Sequence, residues 1–239
     1  MAKTKFYAIK HGVDPQTNLT VGALILDTTW ADAERYIKGV KGAEFKSFTK
    51  REDAEAYIQG DSSSLAVNLE MQPDVFYCFV DGSFNQEIPN YSFGLCAIMN
   101  EKVVHINNGQ GSNPSAIAMQ QVGGELLGAL MSLVYAKSRD IKKVVILHDY
   151  LGVANHATGT WKRDSDYSKV YHNWMQNFFK SNPEMNISFL KVDAHTGNDF
   201  NEIADGLAKM ALGITPNPIF YRMVEKHNVK LSEDLFFAV

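Results

Sequence analysis

VFYCFVDGSFN, residues 75–85, runs apolar side chains and Cys78 up to a bare carboxylate, Asp81, followed by Gly-Ser. A continuous apolar run of this length reads as a strand buried on both faces. A charge where such a strand stops must be solvated, paired or put to use. Working outward, SFGLCAIMN and KVVHINNG read as two further strands, joined by polar, Gly- or Pro-containing loops. Residues 117–138 read as one long helix, KKVVILHD as a fourth strand and SKVYHNWMQNFFKS as a helix. NISFLKVD and NEIADGLAKMAL follow as a fifth strand and a final helix. Three strands in succession, then strands alternating with helices, predict an α/β fold: a mixed five-stranded sheet flanked by helices.

A different pattern precedes this sheet. TKFYAIK and GALIL read as short strands, DTTWADAERYIKG as a capped helix, EFKSF as a strand and TKREDAEAYIQ as a second helix with Thr49 as cap and Glu52 three residues on. Residues 1–60 are therefore expected to form a small α+β domain. DSSSLAVNLEMQP, residues 61–73, has the composition of a brief linker. Residues 74–213 form the second domain, and 214–239 a C-terminal extension with aromatic content but no readable motif. The extension is expected to cover a face of the core or to serve a partner.

Hydrophobic residues make up 45% of the 239 and charged residues 21%, values of an ordinary soluble globular protein. A net charge of −4 argues against a generic nucleic-acid binder, which carries a basic excess. Local patches outweigh the sum, and Lys162-Arg163 is one. Cys78 and Cys96 both lie in apolar runs and read as buried free thiols of a reduced protein. No stretch reaches the roughly 18 apolar residues of a membrane span. With no leader-like segment at the N-terminus, a cytoplasmic protein without a membrane partner is expected.

Four acids interrupt or end apolar patterns. Asp81 closes the first strand of the second domain, and Asp149 closes the fourth in VVILHDY. Glu125 lies early in the long helix after Gly123-Gly124, and Asp205 early in the last helix. Singly, each reads as a turn residue, a solvated helix residue or a first-turn acid favoured by the helix dipole. Together, neighbouring strand ends and packed helices would bring them to one place. Carboxylates so gathered repel, and desolvation adds to the cost. Cations between them make the arrangement tolerable, and hard oxygen ligands suit Mg²⁺ or Mn²⁺. Two such ions about 3.5–4 Å apart are what in-line phosphoryl displacement uses.

At these residues the chain resembles type 1 ribonuclease H. The likeness runs over roughly residues 74–213 through VDGSFN, GGELLGAL, Asp149 and DAHTGNDFNEIADGLAKMA. YLGVANHATGTWKRDSDYSKVYHNWMQNF is similar to members without the basic protruding helix. FYAIKHG and TTWADAERYIKGVKGAEFKSFTKREDAEAYI are similar to the viroplasmin-like hybrid-binding domain that precedes many such nucleases. The resemblance implies a ribonuclease H-like catalytic sheet and a metal-dependent endoribonuclease. Its substrate would be the RNA strand of an RNA–DNA hybrid duplex, its products 5′-phosphate and 3′-hydroxyl ends.

Under that resemblance Asp81 bridges two Mg²⁺ ions (Mn²⁺ as substitute), Asp149 and Asp205 hold one ion, and Glu125 holds the other. His195, in VDAHTGND, shuttles protons or assists product release. Asn85, Gln121 and the backbone at Gly123 and Gly124 are candidates for reading the ribose 2′-hydroxyl; helix packing explains Gly124 equally well. Trp161 and Lys162 would meet the DNA strand. In the N-terminal domain Tyr7, Trp30, Phe45 and Lys46 match the family's aromatic and phosphate contacts. The chain departs from the family at VDPQTNLTVGALILD, where a short Gly-Pro-Gly turn is usual, and at Ser47, where a second Lys is common. Weaker hybrid binding by this domain is therefore expected. His148-Asp149-Tyr150 replaces a common Thr-Asp-Ser. Two other readings are a catalytically weak nucleic-acid-binding protein of the same fold and another nuclease of the wider fold. The first predicts loss of an acid, yet all four are present. The second fits the HTGNDFNEIADGLA ending poorly.

Overall fold

The computed structural model describes residues 5–22, 24–59, 71–87, 89–192 and 198–231. Most of the expected linker and His195 lie outside the described residues. The described elements run β1 (Lys5–Val13), β2 (Thr20–Val21), β3 (Leu24–Thr28), α1 (Trp30–Glu34), β4 (Glu44–Phe48) and α2 (Arg51–Gln59) in the N-terminal module. The second half comprises β5 (Phe76–Asn85), β6 (Asn90–Met99), β7 (Lys102–Gln110), α3 (Pro114–Ile117), α4 (Gln121–Ser138), β8 (Lys143–His148), α5 (Gly152–Thr158), α6 (Asp166–Ser181), β9 (Asn186–Lys191), α7 (Asp199–Ala211) and α8 (Pro218–Lys226).

Five strands form the second sheet in the order β7-β6-β5-β8-β9. The β5–β6 and β6–β7 pairs are antiparallel, and β5–β8 and β8–β9 are parallel. The period-2 alternation of β5 splits its side chains between two cores. Phe76, Cys78 and Val80 face α4, through Leu126, Ala129 and Leu133, and the α5–α6 layer. Val75, Tyr77 and Phe79 face Ile203, Ala204 and Leu207 of α7. Both faces are covered, which is why these strands read as unbroken apolar runs. Cys78 and Cys96 are buried free thiols, as their surroundings led one to expect.

The expected end of the first strand needs correcting. β5 continues past Asp81 to Asn85 as one arm of a hairpin with β6. What stops before Asp81 is its parallel neighbour: β8 pairs with β5 only over Phe76–Phe79. Asp81 thus lies on a strand that has lost one flank, and the gap beside it becomes the cleft described below. The single long helix expected over 117–138 is also divided. Gln120 takes a left-handed φ of 54° between α3 and α4, so the chain breaks before α4 begins. α5 and α8 were not read from the sequence. α5 is short, and α8 uses Asn217 as cap and Pro218 in its first turn to pin the extension onto the core through Phe220.

In the N-terminal module β1 is central, with β4 on one side and β3 on the other. β2 continues β3 in the same register, Gly12↔Val21 following Ile9↔Leu24. α2 packs Ala54 and Ile58 against Ala8 and Ile25. α1 is shorter than the helix expected there; beyond Glu34 the chain continues through i→i+3 turns to a left-handed Gly39.

Two helices rest on the sheet by backbone contact. A Cβ at Gly124 of α4 would overlap the Ser92 carbonyl oxygen, and one at Gly94 of β6 would overlap the Ala204 carbonyl oxygen of α7. Only glycine permits such an approach. Gly94→Ala is expected to destabilise the fold by ~3 kcal/mol or more, read as a lower denaturant midpoint, because backbone rather than a flexible side chain must yield.

Candidate active site

A cleft beside β5 is lined by Asp81, Glu125, Asp149 and Asp205, together with Gln121, Tyr150 and Asn201. Each acid arrives from a different element. Asp81 comes from β5, at its unflanked stretch, and Glu125 from the first turns of α4. Asp149 comes from the residue after β8, and Asp205 from α7. The approach of α4 and α7 at Gly124 and Gly94 draws the two helical acids in. Asp81, Glu125 and Asp149 offer oxygens that all lie within 4.8 Å of one another. Three hard oxygen donors at that spacing suit a divalent cation. Asp205 shares the cleft but turns its Oδ2 to Lys209 Nζ, 2.6 Å away and one helical turn on.

The electrostatics fit a cation site. Burial, then Asp149 and Asp205, hold the Asp81 carboxyl well above the usual carboxylate range. The Gly82 amide donates to Asp81 Oδ1 at 2.7 Å and opposes that shift, as does Lys209. Burial, then Asp149 and Asp81, do the same to Glu125, which the Tyr150 amide partly relieves by donating to Oε2 at 3.1 Å. Such carboxyls resist ionising together unless positive charge joins them.

Residues 28–58 match the ribonuclease H1 N-terminal domain family. Of the solved structures, a ribonuclease H1 from the halophilic archaeon Halobacterium salinarum is 16% identical, covers 58% of this chain and 97% of its own, with a TM-score of 0.48. A ribonuclease H1 crystallised with an RNA/DNA hybrid is 12% identical over 57% of this chain and 99% of its own, with a TM-score of 0.46. An apo ribonuclease H domain from Desulfitobacterium hafniense, solved by NMR, is 34% identical over 60% of this chain and 93% of that domain, with a TM-score of 0.31. The chain belongs to the ribonuclease H family. Its N-terminal module is the domain found ahead of type 1 members, and the ribonuclease H-like sheet carries a buried acidic group compatible with a divalent metal. No helix among the described residues is long and apolar enough to cross a membrane.

The other expected site residues are scattered. Gln121 opens α4 at the cleft, exposed. Gly124 is buried, and its backbone approaches Ser92 and Gly82 of the sheet. Asn85 accepts the Glu87 amide within the hairpin turn. Trp161 packs edge-on to Tyr150 and His156 beneath the N-terminal module instead of facing out. Lys162 is exposed and pairs with Asp164 at 3.3 Å. Tyr7, Trp30 and Phe45 form a ladder, with centroids 5.8 and 5.6 Å apart. Trp30 is 44% and Phe45 40% exposed, whereas Tyr7 is buried. Lys46 points to the opposite face of the sheet, over Phe48 and Tyr57.

Three features escaped the sequence reading. Lys209 was signalled by its four-residue spacing from Asp205. His148 is fully buried, and its Nδ1 donates to the Tyr150 carbonyl at 2.9 Å, tying the turn that carries Asp149. Burial pushes its pKa down to about 3, so it serves as a neutral strut. The Tyr150 amide had no signal in side-chain identity at all.

Asp81 and Glu125 bind protons more tightly folded than unfolded. Their favourable contribution is complete at low pH and is lost as pH rises from the ordinary carboxylate range through the raised folded values. In chelator, Asp81→Asn is therefore expected to raise Tm at pH 8 by ~2–4 °C per kcal/mol relieved, with a smaller gain at pH 5. Magnesium should stabilise the wild type more at pH 8 than at pH 5 and the variant weakly at both. Lys209→Met frees Asp205, and calorimetric titration is expected to show tighter Mg²⁺ binding than in the wild type.

Proposed function

We propose that the chain is an endonuclease that hydrolyses the RNA strand of RNA–DNA hybrids at this cleft. Asp81, Glu125, Asp149 and Asp205 would hold two divalent cations, Mg²⁺ with Mn²⁺ as substitute. The observation that carries this reading is the convergence of four carboxylates from four elements on one cleft, in a chain of the ribonuclease H family. When bound, a divalent pair supplies Lewis-acid activation of the attacking water and neutralises charge growing on the leaving 3′ oxygen.

This chain's own residues prepare the site. The Gly82 and Tyr150 amides fix one oxygen each of Asp81 and Glu125, leaving the others turned to the cleft. The His148 strut sets the direction of Asp149. Lys209 pairs with Asp205 at 2.6 Å and would have to release it for that carboxylate to hold a cation. Gln121 and Asn201, the polar side chains that line the cleft beside the acids, are assigned to the ribose 2′-hydroxyl that separates RNA from DNA. Trp30 and Phe45 are assigned to the sugars of the DNA strand, to which their exposed apolar faces could turn. His195 is assigned to proton transfer.

Labelled hybrid, duplex DNA and duplex RNA incubated with Mg²⁺ test the reading. Cleavage of the hybrid alone, leaving 5′-phosphate ends, is expected. Asp81→Asn should reduce it on the order of 10³-fold or more while retaining hybrid binding. Wild-type binding without cleavage would instead favour a catalytically weak hybrid binder.

A further inference from the structure

The segment that departs from the family pattern, VDPQTNLTVGALILD, is where the N-terminal module meets the catalytic sheet. Asp14 Oδ1 accepts the Gln16 and Thr17 amides and builds a turn that presents Thr17 and Leu19 outward from the module. Leu19 is 3% exposed, yet its apolar neighbours belong to the other half: it joins the core that holds Val145, Leu190 and Val192. Thr17 Oγ1 lies 3.2 Å from Ser188 Oγ of β9. Gly22 leaves room for Leu190, whose Cδ1 would stand 2.8 Å from a Cβ there. β9 is one of the two edge strands of the five, so β2 and this turn cover an edge otherwise open to pairing.

A second contact lies beside the acids. Leu151, two residues beyond Asp149, is 4% exposed and is buried by Ala8, Ile25, Ala54 and Ile58 of the N-terminal module. Arg51, at the start of α2, donates from Nη2 to the Thr160 carbonyl, and its guanidinium lies over Phe6. Trp161 completes the packing. The backbone from Asp149 to Leu151 therefore runs from the carboxylate cluster into the core of the neighbouring module, with the Tyr150 amide on Glu125 between them. Trp30 and Phe45 stack with Tyr7 on the face of the sheet opposite Ala8, away from Leu151, and stay exposed.

We propose that the N-terminal module is docked rather than tethered and that it acts as a positioning support of the Asp149 loop, so that the catalytic centre is complete only in the docked state. The proposal rests on Asp149 serving as a ligand carboxylate under the function proposed above. Leu19, Arg51 and Leu151 are its positioning residues; Trp30 and Phe45 carry the separate task of holding nucleic acid.

The full chain with Thr17→Cys and Ser188→Cys tests docking directly. The two oxygens are 3.2 Å apart, and a disulfide needs ~2.05 Å between sulfurs. The native thiols are buried. Spontaneous closure in air with undiminished hybrid cleavage is expected. Failure to close, or a closed form without activity, overturns the proposal. Arg51→Ala, which lies outside the catalytic core, is expected to weaken Mg²⁺ binding and to lower kcat ~10-fold with little change in KM. Closing the disulfide in that background should restore both, and reduction should remove them again. Trp30→Ala should raise KM alone. An Arg51→Ala chain with wild-type Mg²⁺ affinity and kcat, or one that copies Trp30→Ala, overturns the proposal. Disulfide closure and Mg²⁺ titration need no nucleic acid, so they answer this question even if the wild type proves not to cut hybrids.

Discussion

The five-stranded half of this protein depends on the forced proximity of like charges. Two helices rest backbone to backbone on the central strands, where Gly124 meets Ser92 and Gly94 meets Ala204. A side chain at either point would lift a helix off the sheet and carry Glu125 or Asp205 away. The fold thus commits apolar packing energy to an arrangement that electrostatics opposes. Stability lost at a functional cleft and recovered elsewhere is a general pattern, and the recovery here is the pair of dry cores on either side of the sheet.

The acids are not equivalent. Asp81 and Glu125 are each held by one backbone amide, and burial together with the neighbouring acids raises both carboxyls above the usual carboxylate range. Asp205 has a resident partner in Lys209. One member of the group is therefore neutralised from within, and the other three converge within 4.8 Å. A divalent cation held here would favour the ionised carboxylates and would compete with Lys209 for Asp205.

The two modules share a boundary that reaches the centre. The Asp149 turn is tied below by His148 and beyond by Leu151, one belonging to the five-stranded sheet and the other buried in the N-terminal module. The aromatic ladder occupies the other side of that module. The exposed aromatic rings and the contact with the Asp149 loop therefore fall on different faces of one small domain.

Four acids, the mixed sheet and both modules were legible in the chain because each has a local signature: a charge ending an apolar run, strands succeeded by helices, a change of pattern before residue 75. The order of the elements fixes which strands can be neighbours, and hence which carboxylates can meet. Legibility failed where one residue acts on another far away in sequence. Trp161 read as a contact to the DNA strand and Leu19 carried no reading; Trp161 packs in part against the core of Ala8, Ile25 and Ala54, and Leu19 is buried with Val145, Leu190 and Val192, all more than a hundred positions distant. Asp81 read as a strand end, whereas its own strand continues and only the neighbour stops. Residue identity determines what a side chain can do; which partners surround it is decided by packing between segments, because burial and contact are properties of the assembled surface and not of any stretch of chain.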